Sequence, residues 1–348
     1  MFAQTERPSN FSEVVGETEN SRILLSIARN PASTPGTLIF SGDFGCGKTS
    51  TARLFFKAIN CQSIRDGKAH DICGKCPNCV SDIRESRFYN EYDASQLDDI
   101  DKVRETFAYG NQGRWRVVVF DEVHLLSKKM QSALLKELED NKRQNKFIFC
   151  TTDPDMLIPT IRSRSLELTY TTKPAPLVAD AMMRCAQKHG FDLPKQTANV
   201  IAQKSHGHMR DAYMLLDRYV LSGNDAFMKS TCDFQLSMMN FLFAMIGRGV
   251  PKETLDGVLS ILLRYPSATF REEYQRFFLD VLRGMTFSDD NMLKPVKNFI
   301  EKACYFHISI PRLVRFCTQD WVLAGFTDAV GIQTTLLVMY SEWENLRK

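Results

Sequence analysis

The segment Gly42-Asp-Phe-Gly-Cys-Gly47-Lys48-Thr49 constrains this chain more than any other, because it fits the G-x-x-x-x-G-K-[ST] pattern in full. It follows an apolar run of strand length, Thr37-Leu-Ile-Phe-Ser41, and opens a segment with apolar residues at helical spacing: Ala52, Phe55, Phe56 and Ile59. A glycine-rich turn between a strand and a helix lets successive backbone N–H groups point inward at phosphate oxygens, and the helix N-terminus adds partial positive charge. Lys48 can then reach the β- and γ-phosphates, and the Thr49 hydroxyl can ligate Mg²⁺. A turn that merely happens to precede Lys-Thr would lack that strand-and-helix context. The motif establishes nucleotide binding and leaves the use of the nucleotide open.

Two further apolar runs, Arg116-Val-Val-Val-Phe120 and Phe147-Ile-Phe-Cys-Thr151, suit parallel strands covered on both faces. Their alternation with helical patterns predicts an open parallel α/β sheet. The first run ends in Asp121-Glu122, where Asp121 can hold the Mg²⁺ hydration shell and Glu122 can polarise an attacking water. Two acids instead of one point to hydrolysis. The second ends in Thr151-Thr152, whose hydroxyls could reach a γ-phosphate, although threonines in a strand usually reflect β-propensity. Beyond Thr171-Thr-Lys-Pro-Ala-Pro176 the strand-like runs largely stop, and the rest reads as helical, with a turn at Leu221-Ser-Gly-Asn-Asp225.

Four of the ten cysteines, Cys61, Cys73, Cys76 and Cys79, crowd just behind the helix that follows the loop. Two-residue separations let thiolates converge on one ion, and four sulfurs complete a closed tetrahedral zinc site. His70 is a rival fourth ligand. Iron–sulfur ligation uses similar spacing but ranks below zinc here, since nothing else suggests electron transfer. The other six cysteines are expected to be buried as small hydrophobes. A closed site leaves no position for substrate, so the module is expected to carry no catalysis.

The 348 residues allow two or three domains, and a net charge of +3 confines any DNA-binding surface to a local patch. The polar start, Met1 to Asn10, lacks a signal-peptide core, and no apolar run reaches membrane-spanning length. The expectation is a cytoplasmic protein, bacterial or, for a phage version, in the host cytoplasm, with no membrane partner.

Several motifs, taken in order, resemble the AAA+ sliding-clamp loader ATPase subunits, and the bacterial DNA polymerase III gamma/tau type in particular. They are Arg7-Pro8 with Phe11-Ser-Glu-Val-Val-Gly16, the phosphate loop, the cysteine insertion and Glu91-Tyr-Asp-Ala-Ser95. Asp121-Glu-Val-His-Leu-Leu-Ser127, Ala133-Leu-Leu-Lys-Glu-Leu-Glu139, Thr151-Thr152, Ser163-Arg164-Ser165 and Gly207-His-Met-Arg210-Asp-Ala212 follow. The resemblance covers about the first two-thirds of the chain. It implies an AAA+ domain over 1–170 with a zinc module at about 61–79, a helical lid over 171–225, and an all-α oligomerisation collar over 226–348. Nucleotide contacts would fall on Gly42, Asp43, Phe44, Gly45, Cys46, Gly47, Lys48, Thr49 and Ser50, and on Arg7, Pro8 and Val15 ahead of them. By the same resemblance Asp121 supports the metal, Glu122 activates water and Thr152 is a first sensor. Arg164 is an arginine finger reaching a neighbouring subunit's ATP, with Arg162 as a nearby competitor, and Arg210 is a second sensor.

The implied work is ATP-driven opening of a sliding clamp and its loading on primer–template DNA, within an assembly of loader subunits taken as pentameric. Clamp contact would come from the outer face of the ATPase domain; Lys128 and Lys129 are weak candidates for DNA contact. Ser165 replaces the family's cysteine, Asp140-Asn-Lys-Arg-Gln replaces an acid-Pro-Pro stretch, and the long extension of the tau form is not expected. Two rival readings are a branch-migration motor, which leaves the cysteines unexplained, and a non-hydrolysing loader subunit, which the intact Lys48, Thr49, Asp121 and Glu122 disfavour. In the last part, Phe241, Leu242, Met245 and Ile246, and Phe277, Phe278, Val281 and Leu282, form apolar stripes at helical spacing.

Overall fold

Five strands form one sheet in the computed structural model: β1 (Thr37–Gly42), β2 (Tyr89–Asp93), β3 (Arg116–Asp121), β4 (Asn145–Thr151) and β5 (Ser165–Tyr170). Every pairing is parallel, in the order β2-β3-β4-β1-β5. The structure describes residues 1–97, 99, 101–105, 113–139, 144–246, 255–286, 294–305 and 309–347. Positions 140–143 of the divergent Asp140-Asn-Lys-Arg-Gln stretch lie outside the described residues.

The three central strands are the apolar runs legible in the sequence. Successive side chains leave a strand on opposite faces, so each run feeds two cores. Leu38, Phe40, Val117, Val119, Ile148 and Cys150 face one side, where they meet α1 (Thr18–Arg29) and α2 (Lys48–Asn60). Ile39, Val118, Phe120, Phe147 and Phe149 face the other, against Val123 and against Leu134 of α3 (Lys128–Glu139). Each such side chain withdrawn from water contributes about 1.5–3 kcal/mol. β2 and β5 are the edges, and their burial alternates with exposure. That mixture is why neither reads as an apolar run.

Among the described residues no strand follows β5. The chain divides into two compact units, Met1–Asp217 and Arg218–Lys348. In the first, α4 (Ala175–Lys188), α5 (Lys195–Lys204) and the start of α6 (Met209–Ser222) follow the sheet. Gly223, at φ +78°, separates α6 from α7 (Asn224–Met245), where the sequence predicts a turn.

The described part of the second unit is helical: α7, α8 (Leu255–Leu262), α9 (Ser267–Thr286), α10 (Lys294–Tyr305), α11 (Ile310–Cys317), α12 (Asp320–Gly325) and α13 (Ala329–Arg347). Phe326 packs edge to face on both Phe270 and Tyr274, and the Tyr274 hydroxyl donates to the Cys317 carbonyl at 2.8 Å. Phe241, Leu242, Met245, Ile246, Phe277, Phe278 and Val281 are buried as their spacing predicts, whereas Leu282 is exposed. Among the described residues, no helix is long and apolar enough to cross a membrane. Cys46, Cys150, Cys185 and Cys317 are buried, as expected of small hydrophobes; the side chains of Cys232 and Cys304 lie outside the described set.

Candidate functional site

The carboxyl ends of β1 and β3 bring the loop and the acid pair together, the usual place for a ligand in an open parallel sheet. Gly42 closes β1 at φ +142°, and a Cβ there would lie 2.0 Å from the Tyr170 carbonyl oxygen, so only glycine fits. α2 then starts at Lys48, which is 6% exposed. Its ammonium donates to the Gly42 and Asp43 carbonyls at 2.8 Å each, which suspends the charge over the loop. The Thr49 hydroxyl donates to Oδ2 of Asp121 at 2.9 Å.

Glu122 adopts φ +52°, a left-handed conformation that strains a residue carrying a Cβ. Its Oε2 is out of water without a hydrogen bond and lies 3.5 Å from Nδ1 of His124. That same nitrogen is 3.2 Å from the Thr151 hydroxyl. Thr151 is fully buried, its hydroxyl donating to the Asp153 carbonyl at 3.0 Å.

Helices α4 and α6 supply the facing wall. Gly207 turns the chain at φ +82°, where a Cβ would fall 2.5 Å from the Lys173 carbonyl oxygen. His208 follows, with its ring stacked on Phe44 of the phosphate loop at 4.9 Å and 5°. His208 Nδ1 lies 2.8 Å from the Phe44 carbonyl, which can only accept, so Nδ1 carries the hydrogen.

The result is a cavity of about 900 Å³. Phe44 through Ser50 line it, with Arg7, Pro8 and Val15 from the N-terminal segment and Asp121, Glu122 and Arg210 opposite. Gly42 and Asp43 lie at the loop's start, outside the lining. Thr152 and Arg164 are exposed and do not line the cavity. Of the two arginines just before β5, Arg162 is ion-paired to Asp155 at 2.6 Å, whereas Arg164 reaches the Thr160 carbonyl at 3.5 Å. Lys128 and Lys129 are exposed at the start of α3.

Several lining residues carry no sequence motif: Arg53, Lys173, Arg184, Lys188 and Tyr213. Ala181, Arg184, Cys185 and Lys188 all line the cavity from one face of α4. Their i, i+3, i+4, i+7 spacing, with two cations inside an amphipathic stripe, is the signal that could have found them. Burial pushes the Tyr213 hydroxyl up to about 12 and the Cys185 thiol up to about 11, so both are neutral hydrogen-bonding groups. Lys173 of the lining forms a buried ion pair with Glu17, whose second carboxylate oxygen accepts from Asn20 at 2.6 Å.

The cysteine cluster assembles at the far end of α2. The sulfurs of Cys61, Cys73, Cys76 and Cys79 all lie within 4.8 Å of one another. Cys76 and Cys79 sulfurs are 3.3 Å apart, and Cys73 and Cys79 sulfurs 3.8 Å. The N–H of Lys75, the Ser63 hydroxyl and the N–H of Cys76 hold the Cys73 thiol down to about 5. Burial pushes the Cys61 and Cys79 thiols up, so thiolates there would depend on an ion's own charge. Four converging sulfurs with N–H donors fit zinc. His70 is outside the cluster; Arg29 lies 3.4 Å from its Nδ1. Asn60 anchors the module to the sheet, since its amide exchanges hydrogen bonds with the Trp115 backbone and its carbonyl accepts from Asn78.

A family model described as DNA polymerase III, delta subunit, matches residues 18–173. The DNA polymerase III subunit gamma/tau of Mycobacterium tuberculosis H37Rv is 32% identical over 226 residues, 63% of this chain and 38% of the relative. The tau subunit of Escherichia coli K12 is 32% identical over 230 residues, 64% of this chain and 35% of the relative. The protein STICHEL of Arabidopsis thaliana is 30% identical over 228 residues, 64% of this chain and 18% of the relative. The chain thus spans little more than a third of the length of these polymerase relatives. Among solved structures, the Thermotoga maritima RuvB Holliday junction branch migration motor overlaps 73% of this chain and 88% of its own, at 20% identity. Its TM-score of 0.48 is too low to carry function. The chain is gamma/tau-like: over 63% of its length it is similar to the DNA polymerase III gamma/tau subunits.

Proposed function

We propose that this chain is an ATPase subunit of a clamp loader, using ATP binding and hydrolysis to open a sliding clamp and place it on primer–template DNA. The observation that carries the ATPase reading is the convergence of Lys48, the Thr49–Asp121 pair and Glu122 on one cavity. The similarity to gamma/tau subunits supports the clamp-loading half.

Each residue has a distinct task in this reading. The loop backbone from Gly45 and the Lys48 ammonium take the phosphates. Thr49 and Asp121 would hold Mg²⁺, which when bound neutralises developing phosphate charge. Glu122, fixed in a strained backbone conformation, orients the attacking water and accepts its proton. Arg210 approaches the phosphates from α6. Thr152 as first sensor and Arg164 as an in-trans finger follow the family pattern. Arg164 is exposed, as a finger reaching a neighbouring subunit must be. A finger supplied by a neighbour ties hydrolysis to assembly, because the transition-state charge is stabilised only where subunits meet.

In the same reading the four cysteines hold a structural zinc. Residues 1–170 form the ATPase domain, 171–225 the lid and 226–348 the collar of a pentameric assembly, located in the cytoplasm. The test is ATP hydrolysis by the native assembly with and without clamp and primed DNA. Stimulation by both is expected; a rate indifferent to both contradicts clamp loading.

A further inference from the structure

We propose that the cysteine module braces the nucleotide cavity, and that Asp71 is the positioning residue through which it acts. The inference rests on the nucleotide-binding reading of the cavity. The N-terminal segment contributes Arg7, Pro8, Val14 and Val15 to the cavity wall. Its regular structure from Arg7 to Val15 is a single 3-10 turn, Phe11–Glu13, so it has no ladder of its own to hold it in place. Two links tie it to the cysteine module and the core beside it. The Phe11 ring is buried at 3% exposure in the cluster against which Ala69, Ile72, Cys73 and Cys76 of the module also pack. Asp71 accepts the backbone N–H of Phe11 on Oδ1 at 3.2 Å and that of Ser12 on Oδ2 at 3.0 Å.

Two successive amides on one carboxylate fix both the position and the direction of the segment, as in any charge-assisted bidentate pair. The carboxylate is itself held, since Oδ1 also accepts the Ile72 N–H at 2.7 Å. Asp71 stands two residues before Cys73, in a stretch whose regular structure amounts to two single turns, Gln62–Arg65 and Pro77–Val80. A segment with so little secondary structure takes its shape from whatever joins its sulfurs. Metal occupancy at the cysteines therefore sets where Asp71 stands, and Asp71 sets where the cavity wall stands. On this account the module that does no chemistry keeps the nucleotide site formed.

The experiment measures affinity of the full chain for a fluorescent ATP analogue, with zinc content and thermal unfolding recorded in parallel. Lys48→Ala serves as the control for specific binding. Asp71→Ala is expected to keep its zinc and a cooperative unfolding transition yet bind the analogue about 5- to 10-fold more weakly. That is less than the full worth of a hydrogen bond to a charged group, because the loss reaches the cavity only through the segment. Asp71→Asn, which can still accept one N–H, is expected to lose less. Removing zinc from the wild type with a chelator should weaken binding by at least the same factor. Removing it from Asp71→Ala should add little of that loss, because both act on one link. Unchanged affinity in Asp71→Ala and Asp71→Asn overturns the proposal, as does full additivity of chelation and substitution. Should Asp71→Ala fail to fold, the comparison of Asp71→Asn with chelated wild type decides alone. A wild type that binds no analogue, or binds equally after Lys48→Ala, defeats the nucleotide reading itself, which is a separate result.

Discussion

The Thr49 hydroxyl donates to Asp121 Oδ2 at 2.9 Å, joining the start of α2 to the end of β3 across 72 residues of sequence. Two oxygen groups from different elements thus aim at one point beside the phosphate loop, the arrangement a hard divalent cation requires. Thr49→Ala should raise the Mg²⁺ concentration needed for half-maximal hydrolysis. Asp121→Ala should lower kcat about 100-fold, as loss of a metal-supporting carboxylate does at preorganised phosphate sites. Magnesium titrations of steady-state hydrolysis measure both; a wild-type Mg²⁺ dependence in Thr49→Ala would refute the pairing's role.

Glu17 and Lys173 form an ion pair whose side chains are only 7% and 2% exposed. Removing one partner leaves a buried charge without compensation, which typically costs ~3–5 kcal/mol. Glu17→Gln should therefore lower unfolding stability by that order in denaturant titrations. The double replacement Glu17→Met with Lys173→Met should be less destabilised than Glu17→Gln. If it is more destabilised, the pair is a net stabiliser in its own right.

How much of this was legible in the sequence depended on the range of the interaction. The phosphate loop, the acid pair and the cysteine cluster are recognisable because their chemistry is fixed by spacings of a few residues. β1, β3 and β4 are recognisable because burial on both faces makes continuous apolar runs. β2 and β5 are edge strands with mixed faces, and no run marks them. The Glu17–Lys173 pair, the His208–Phe44 stack and the Asp71 link join residues far apart in sequence, and nothing local announces such partners. Arg184 and Lys188 were accessible in principle from the spacing of their helix face, which also hid them as ordinary solvated charges.

Zinc should be present in the purified protein, and Cys76→Ser should reduce its content sharply. The loss should lower the unfolding temperature, because the segment between Cys61 and Cys79 has little other structure. Metal analysis together with thermal unfolding checks this. Full zinc retention in Cys76→Ser would show that the fourth ligand comes from elsewhere.

Glu6 pairs with Lys188 and His189 at 2.8 Å each. Burial opposes its ionisation, but the hydrogen bonds and charges of Lys188 and His189 outweigh it and hold the carboxyl below its ordinary value of 4.5. A carboxyl lowered on folding contributes stability that is complete above its unfolded value and is lost as pH falls through its folded value. Glu6→Gln should thus unfold at a lower temperature than wild type at neutral pH, with the gap closing in acid below that ordinary value. Parallel curves at all pH values would remove Glu6 from the account.

Glu122 tests the central claim most directly, because its proposed task lies in hydrolysis and not in binding. ATP affinity and single-turnover hydrolysis are measured on the native assembly for wild type and Glu122→Gln. The account predicts similar affinity for both and hydrolysis slower by ~10²–10⁴-fold in the variant, the usual contribution of a general base. Hydrolysis at the wild-type rate in Glu122→Gln, or a wild type that binds ATP without hydrolysing it, would contradict it.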